Sequence, residues 1–187
     1  MIRPILIYGD LTLHKRASEV TEFDQQLRDL VQDMFETMDA APGVGLAAPQ
    51  IGVSLRVFVY NYPDEDDSPR RGVIINPKLT QEVIEPGEAD EELDSEGCLS
   101  FPGERFPLRR SEKVIVDGVD LDQNPVHVEA QGWFARIFQH EFDHLNGIIY
   151  VDKLPFDLRK QAFEVMQDRG WNKPDQSWLP GRDRLED

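Results

Sequence analysis

The sequence predicts an α+β fold, with a strand-rich middle between one early helix and two late ones. Three observations carry this. Leu27, Leu30, Val31, Met34, Phe35 and Met38 recur at helical spacing within residues 20–40. Residues 55–60, 72–75, 79–84, 114–116 and 125–129 form short apolar or alternating runs bounded by Gly, Pro, Asn and Asp. Phe134, Ile137, Phe138 and Leu145 return to helical spacing, and Gly147 stands where a C′ glycine would end that helix.

Composition bounds the possibilities. A chain of 187 residues is long enough for one domain with a proper core. Hydrophobic content of 40% and charged content of 30% suit a soluble globular protein. No apolar run approaches the length of a membrane span, and the apolar stretch after Met1 is too short for a secretory signal. A net charge of −16 argues against direct DNA binding and against an anionic membrane surface. A lone cysteine, Cys98, rules out an internal disulfide and suits a reducing compartment, hence the cytoplasm.

Taken in order, the first helix is expected over 20–40, with Thr21 as its N-cap. His14, just before it, reads as structural. Pro42-Gly43-Val44-Gly45-Leu46-Ala47-Ala48-Pro49-Gln50-Ile51-Gly52 is a loop whose small residues admit close backbone approach. Gln50 follows a proline and is expected outside any helix, with its amide free to meet a ligand. A simple turn between helix and strand would explain the same glycines. Residues 64–69 read as an exposed polar loop. Asn76-Pro77 should end the 72–75 strand. Seven of the twelve residues in 85–96 are acidic, which marks a solvated loop. His127 alternates with Val126 and Val128 and should face solvent. A last helix is expected over 155–169, with Leu158, Ala162, Phe163 and Met166 on one face. The tail beyond it carries Trp171 and Trp178, which suggests packing against the body.

The chemistry concentrates in Gln139-His140-Glu141-Phe142-Asp143-His144. On a helix, His140 and His144 share a face and can grip one metal, with Glu141 beside it to manage water. Two satisfied core histidines on a buried helix would give the same pattern, so a third ligand and a substrate site are needed.

Two further stretches supply them. Gly43-Val44-Gly45-Leu46-Ala47-Ala48-Pro49-Gln50, then Glu96-Gly97-Cys98-Leu99-Ser100, then the His-Glu-x-x-His run resemble the three signature motifs of the peptide deformylase family, in the same order. The tail around Ser177-Trp178-Leu179-Pro180-Gly181 resembles an actinobacterial-type branch. The resemblance implies antiparallel strands packed around a central metal-binding HExxH helix, with a C-terminal helix outside. It implies one domain over 1–187, with 170–187 as a packed tail.

It also implies the site. Cys98 joins His140 and His144 as third metal ligand, leaving one tetrahedral position for water. The cofactor is one divalent ion, Fe2+ first, with Zn2+, Ni2+ or Co2+ as alternatives. Glu141 is the general acid–base, and the Gln50 amide and Leu99 N–H receive the oxyanion. Gly43, Val44, Gly45, Arg105, Trp133 and Ile137 contact substrate, with His140 also at the methionine pocket. Glu96 supports the ligands, paired with Arg105 or Arg110. Arg136 falls in the pocket region, where its charged head is expected to snorkel outward. Asp143 reads as a surface ion pair ahead of a histidine orienter. The implied reaction removes formate from the N-terminal formylmethionine of nascent peptides, by a monomer working near the ribosomal exit tunnel. A zinc aminopeptidase or endoprotease would explain the helix alone. A metal-stabilised binding protein without catalysis would not require Glu141 or Gln50.

Overall fold

The computed structural model describes residues 1–63, 69–84 and 87–185. The elements are β1 (Ile5–Leu6), α1 (Gln25–Ala40), β2 (Gly45–Ala47), β3 (Val57–Pro63), β4 (Pro69–Gln81), β5 (Ser95–Cys98), β6 (Phe101–Pro107), β7 (Lys113–Val119), β8 (Pro125–Gln131), α2 (Gly132–Leu145), α3 (Phe156–Arg169) and β9 (Ser177–Trp178). The fold is α+β. Five strands form an antiparallel sheet in the order β2-β3-β4-β7-β8, while β5 pairs with β6 and β1 with β9. Among the described residues, no helix is long and apolar enough to cross a membrane.

Helix α1 begins later than its periodicity suggests. Asp24, not Thr21, is the N-cap, and its carboxylate accepts from the Leu27 N–H at 3.0 Å. Leu27, Val31, Met34 and Met38 are buried from there on, with Leu30 and Phe35 partly so. Gln50 is likewise not outside helical structure: residues Ala48–Ile51 form a single 3₁₀ turn with Pro49 in its first positions. Proline is tolerated there because the first N–H groups of a helix need no partner within it.

Strand β4 corrects a second expectation. In place of the two strands expected over 72–75 and 79–84, residues 72–75 and 79–81 belong to one strand that ends at Gln81, bulged where the register to β7 shifts between Ile75 and Lys78. Asn76 sits at the bulge with φ +52 and clasps Val20, accepting from its N–H at 2.8 Å and donating to its carbonyl at 2.9 Å. Asn-Pro therefore bends the strand rather than ending it. The polar loop expected over 64–69 lies outside the described residues apart from Pro69, which opens β4.

Helix α2 packs against strands of the five-stranded sheet. Phe134, Ala135, Phe138 and Leu145 bury against Phe58, Ile74, Val114 and Val116. Phe134 and Phe138 add a tilted ring pair at 4.6 Å and both meet the Tyr60 ring. Gly147, with φ +74, follows the Asn146 C-cap. Helix α3 buries Ala162 and Met166, but Phe163 is 49% exposed, so that helix rests on the body by a narrower stripe than expected. Trp171 and Trp178 are buried, and β9 pairs with β1, so the described tail lies on the body.

Candidate active site

Burying one face of α2 on the sheet turns the opposite face toward β5. Trp133, Arg136, Ile137 and His140 fall at i, i+3, i+4 and i+7 and line a cleft. Strand β2, at the sheet edge, supplies Gly45, and the segment before it supplies Gly43 and Val44. Gln50, Glu96, Cys98, Leu99, Arg105 and Glu141 line the same cleft. His144 lies behind it, 1% exposed. The three motifs thus meet in one place although they are far apart in sequence.

One atom each from Cys98, His140 and His144 lies within 4.8 Å of the others. Cys98 Sγ is 3.3 Å from His144 Nε2, which is 3.2 Å from His140 Nε2. Glu96 Oε1 lies 2.6 Å from His140 Nδ1, which leaves the Nε2 of His140 to face inward. Two imidazole nitrogens and a sulfur converging in a buried site suit a divalent cation of borderline softness. Among the described residues, two buried polar atoms here, Glu141 Oε2 and His144 Nδ1, have no hydrogen-bond partner.

The electrostatics follow from burial and neighbours. Burial pushes the Glu141 carboxyl up to about 7, against the pull of His140 and Arg110. Burial opposes the His140 cation, yet the Cys98 sulfur and the Glu96 carboxylate raise it well above the ordinary imidazole value. Burial, then the neighbouring His140 and Arg110, depress His144 far below that value. Burial also works against the Glu96 anion, but Arg110 and His140 more than offset it and hold the carboxyl below the usual range.

Glu96 is gripped from three sides. Arg110 donates to both of its oxygens, at 2.6 and 3.0 Å, and Arg136 donates to Oε2 at 2.9 Å. Arg105 is not its partner: that guanidinium donates to the Ser95 carbonyl at 3.0 Å on the cleft rim. Arg136 does not snorkel outward. It is 7% exposed and also donates to Asp94 Oδ1 and the Leu108 carbonyl, both at 2.6 Å, with its guanidinium 5.1 Å from the Trp133 ring. Residues 85 and 86 of the expected solvated loop lie outside the described residues, and the remainder, 87–96, is not wholly solvated, because Asp94 and Glu96 neutralise buried arginines. Asp143 makes ion pairs, to Arg110 and Lys153, but is buried rather than on the surface. His127 faces solvent beside Asp117, and His14 lies 2.6 Å from the Tyr8 carbonyl.

Gln50 is fixed at both ends. Its Oε1 accepts from the Ala47 N–H at 2.8 Å, and its Nε2 donates to Ser100 Oγ at 3.3 Å and lies 3.9 Å from Cys98 Sγ. Its amide hydrogens thereby point toward the cluster. Tyr62, stacked on Phe134 with rings 6.1 Å apart, also lines the cleft. The sequence places it just past the strand expected over 55–60, where nothing signals a cleft.

A thiol and two imidazoles around one point, with a buried carboxyl beside them, define a metal-dependent hydrolase centre. The family profile described as Polypeptide deformylase matches residues 2–160. Peptide deformylase 2 of Corynebacterium efficiens is 46% identical over 183 residues, covering 97% of this chain and 95% of that one. The peptide deformylase of Rhodococcus opacus is 45% identical over 184 residues, covering 96% and 94%. Among solved structures, peptide deformylase from Ehrlichia chaffeensis superposes with TM-score 0.77 at 37% identity, over 91% of this chain and 97% of that one. A Met-Ala-Ser-bound peptide deformylase from Acinetobacter baumannii superposes with TM-score 0.71 at 35% identity, over 82% and 99%. The chain belongs to the polypeptide deformylase family, hydrolases that remove the formyl group from N-terminal formylmethionine.

Proposed function

We propose that Cys98, His140 and His144 of α2 and β5 hold one divalent metal ion, and that the deformylation of formylmethionyl peptides takes place in the cleft above them. The convergence of those three ligand atoms within 4.8 Å, with Glu141 buried alongside, carries the reading. Such an ion supplies Lewis acidity, acidifying water and polarising the formyl carbonyl. Every other step belongs to side chains and backbone. Glu141 takes a proton from the attacking water and returns one to the departing amine. Its buried, partnerless Oε2 supports that role. Charge gathering on the formyl oxygen is received by the Gln50 amide and the Leu99 N–H, each such fixed donor being worth about 2.7–4 kcal/mol.

Substrate is positioned by the cleft walls. The peptide lies extended along the open edge of β2, where Gly43 and Gly45 allow close backbone approach. The methionine side chain enters between Val44, Trp133, Ile137 and the His140 ring, and Arg105 meets the peptide at the rim. Glu96 orients His140, and Arg110 and Arg136 hold Glu96 in turn.

Fe2+ is the metal we assign first, with Zn2+, Ni2+ and Co2+ compatible with the same donors. We place the enzyme in the cytoplasm, near the ribosomal exit tunnel where nascent N-termini emerge. The lone cysteine supports a reducing compartment. We take the working form to be a monomer. The test is metal analysis together with a formyl-Met-peptide assay on anaerobically purified protein. One metal per chain and formate release are expected.

A further inference from the structure

The tail beyond α3 reaches the metal-ligand loop directly. Trp178 of β9 is 3% exposed, and its indole Nε1–H donates to the Leu99 carbonyl at 2.8 Å. That carbonyl belongs to the Leu99–Ser100 peptide unit. The N–H of the same unit, on Ser100, donates to Cys98 Sγ at 3.4 Å. One rigid amide plane therefore links the indole to the sulfur. A donor on an amide oxygen polarises the amide and strengthens its N–H as a donor. The surrounding contacts hold that plane in place. The Ser100 carbonyl accepts from the Tyr8 N–H at 3.0 Å, just past β1, and Ser100 Oγ accepts from Gln50 at 3.3 Å. Strands β1 and β9 pair with each other, so the whole two-stranded ribbon braces the loop.

We infer that Trp178 is a positioning residue for this reaction: its indole N–H sets the Leu99–Ser100 peptide, and through it the hydrogen bond on the Cys98 sulfur and the aim of the adjoining Leu99 N–H. The inference rests on the assignment of Cys98 as a metal ligand. It gives the C-terminal tail a part in catalysis as well as in packing. Partners that orient a metal ligand from outside its coordination sphere are worth about 10–100-fold in affinity or activity. A link through one intervening amide should fall near the lower end.

The experiment replaces Trp178 by Phe, and separately by benzothienylalanine, which keeps the bicyclic shape and lacks the N–H. Cobalt-loaded wild type and variants are compared by the near-ultraviolet thiolate-to-cobalt absorption band, metal stoichiometry, Tm, kcat and KM. With the hydrogen bond on sulfur weakened, the band should move to longer wavelength in both variants. At full metal occupancy kcat should fall by about tenfold with little change in KM. An unmoved band with an unchanged kcat in the benzothienylalanine protein would overturn the inference, as would a loss of Tm alone. Cobalt binding without a thiolate band in wild type would instead overturn the ligand assignment, so the two failures are distinguishable.

Discussion

Oε1 of Glu96 lies 2.6 Å from Nδ1 of His140 and accepts from Nη2 of Arg110 at the same distance, so one buried carboxylate ties a proposed metal ligand to a buried guanidinium. Glu96→Gln removes the charge that neutralises Arg110 and Arg136. Breaking a buried pair in this way costs roughly 3–5 kcal/mol. The folded carboxyl sits below its ordinary value of 4.5, so its contribution is fully present above about pH 5 and fades as pH falls from there toward the folded pKa. Denaturant unfolding of metal-free protein at several pH values checks this: the gap between wild type and Glu96→Gln should narrow as pH falls below about 5.

Cys98→Ala should bind its metal far less well, because the thiolate supplies both a ligand and a neutralising charge. Elemental analysis of the purified variant reads the outcome. A full complement of metal would remove Cys98 from the ligand set.

Glu141→Ala should keep metal and fold yet lose about 10²–10⁴ in rate, the usual worth of one general acid–base group. The kinetics of the metal-loaded variant decide it, and a near-normal rate would assign proton transfer to another group.

Gly45→Ala tests how closely β2 and α2 approach. A Cβ at Gly45 would stand 2.8 Å from Glu141 Cδ, so the carboxyl or the strand must shift. Displacing a positioned group by about 1 Å can cost about 10²-fold. The variant should lose kcat to that extent while retaining its metal by elemental analysis.

Much of the fold was legible because it follows local period. Residues 114–116 and 125–129 alternate as strands do, and they lie within β7 and β8. The helical spacing after Phe134, together with Gly147, anticipates α2 and its end. Asn76-Pro77 misled because a strand break and a strand bulge use the same residues, and the choice is made by a side-chain clasp to Val20, distant in sequence. Arg136 misled for a related reason. An arginine in a methionine pocket reads as a head bound for solvent, but Asp94 and Glu96 draw it inward. Motif order brings out Cys98, His140 and His144 as candidates. Trp178 reads as a packing residue, but nothing local marks its hydrogen bond to Leu99, 79 residues away.

We propose that this cleft is built around a formyl carbon. A formyl carbon bears only hydrogen beyond its carbonyl, while an acetyl carbon bears a methyl group. The Gln50 amide and the Cys98–Leu99 backbone crowd the space beside the metal ligands. Formyl is also the more electrophilic carbonyl. The decisive measurement compares kcat/KM for formyl-Met-Ala-Ser and acetyl-Met-Ala-Ser on metal-loaded protein, with products identified by mass spectrometry. The formyl peptide should be cleaved far faster, releasing formate and intact Met-Ala-Ser. Comparable turnover of the acetyl peptide, or preferential hydrolysis of an internal peptide bond, would contradict it.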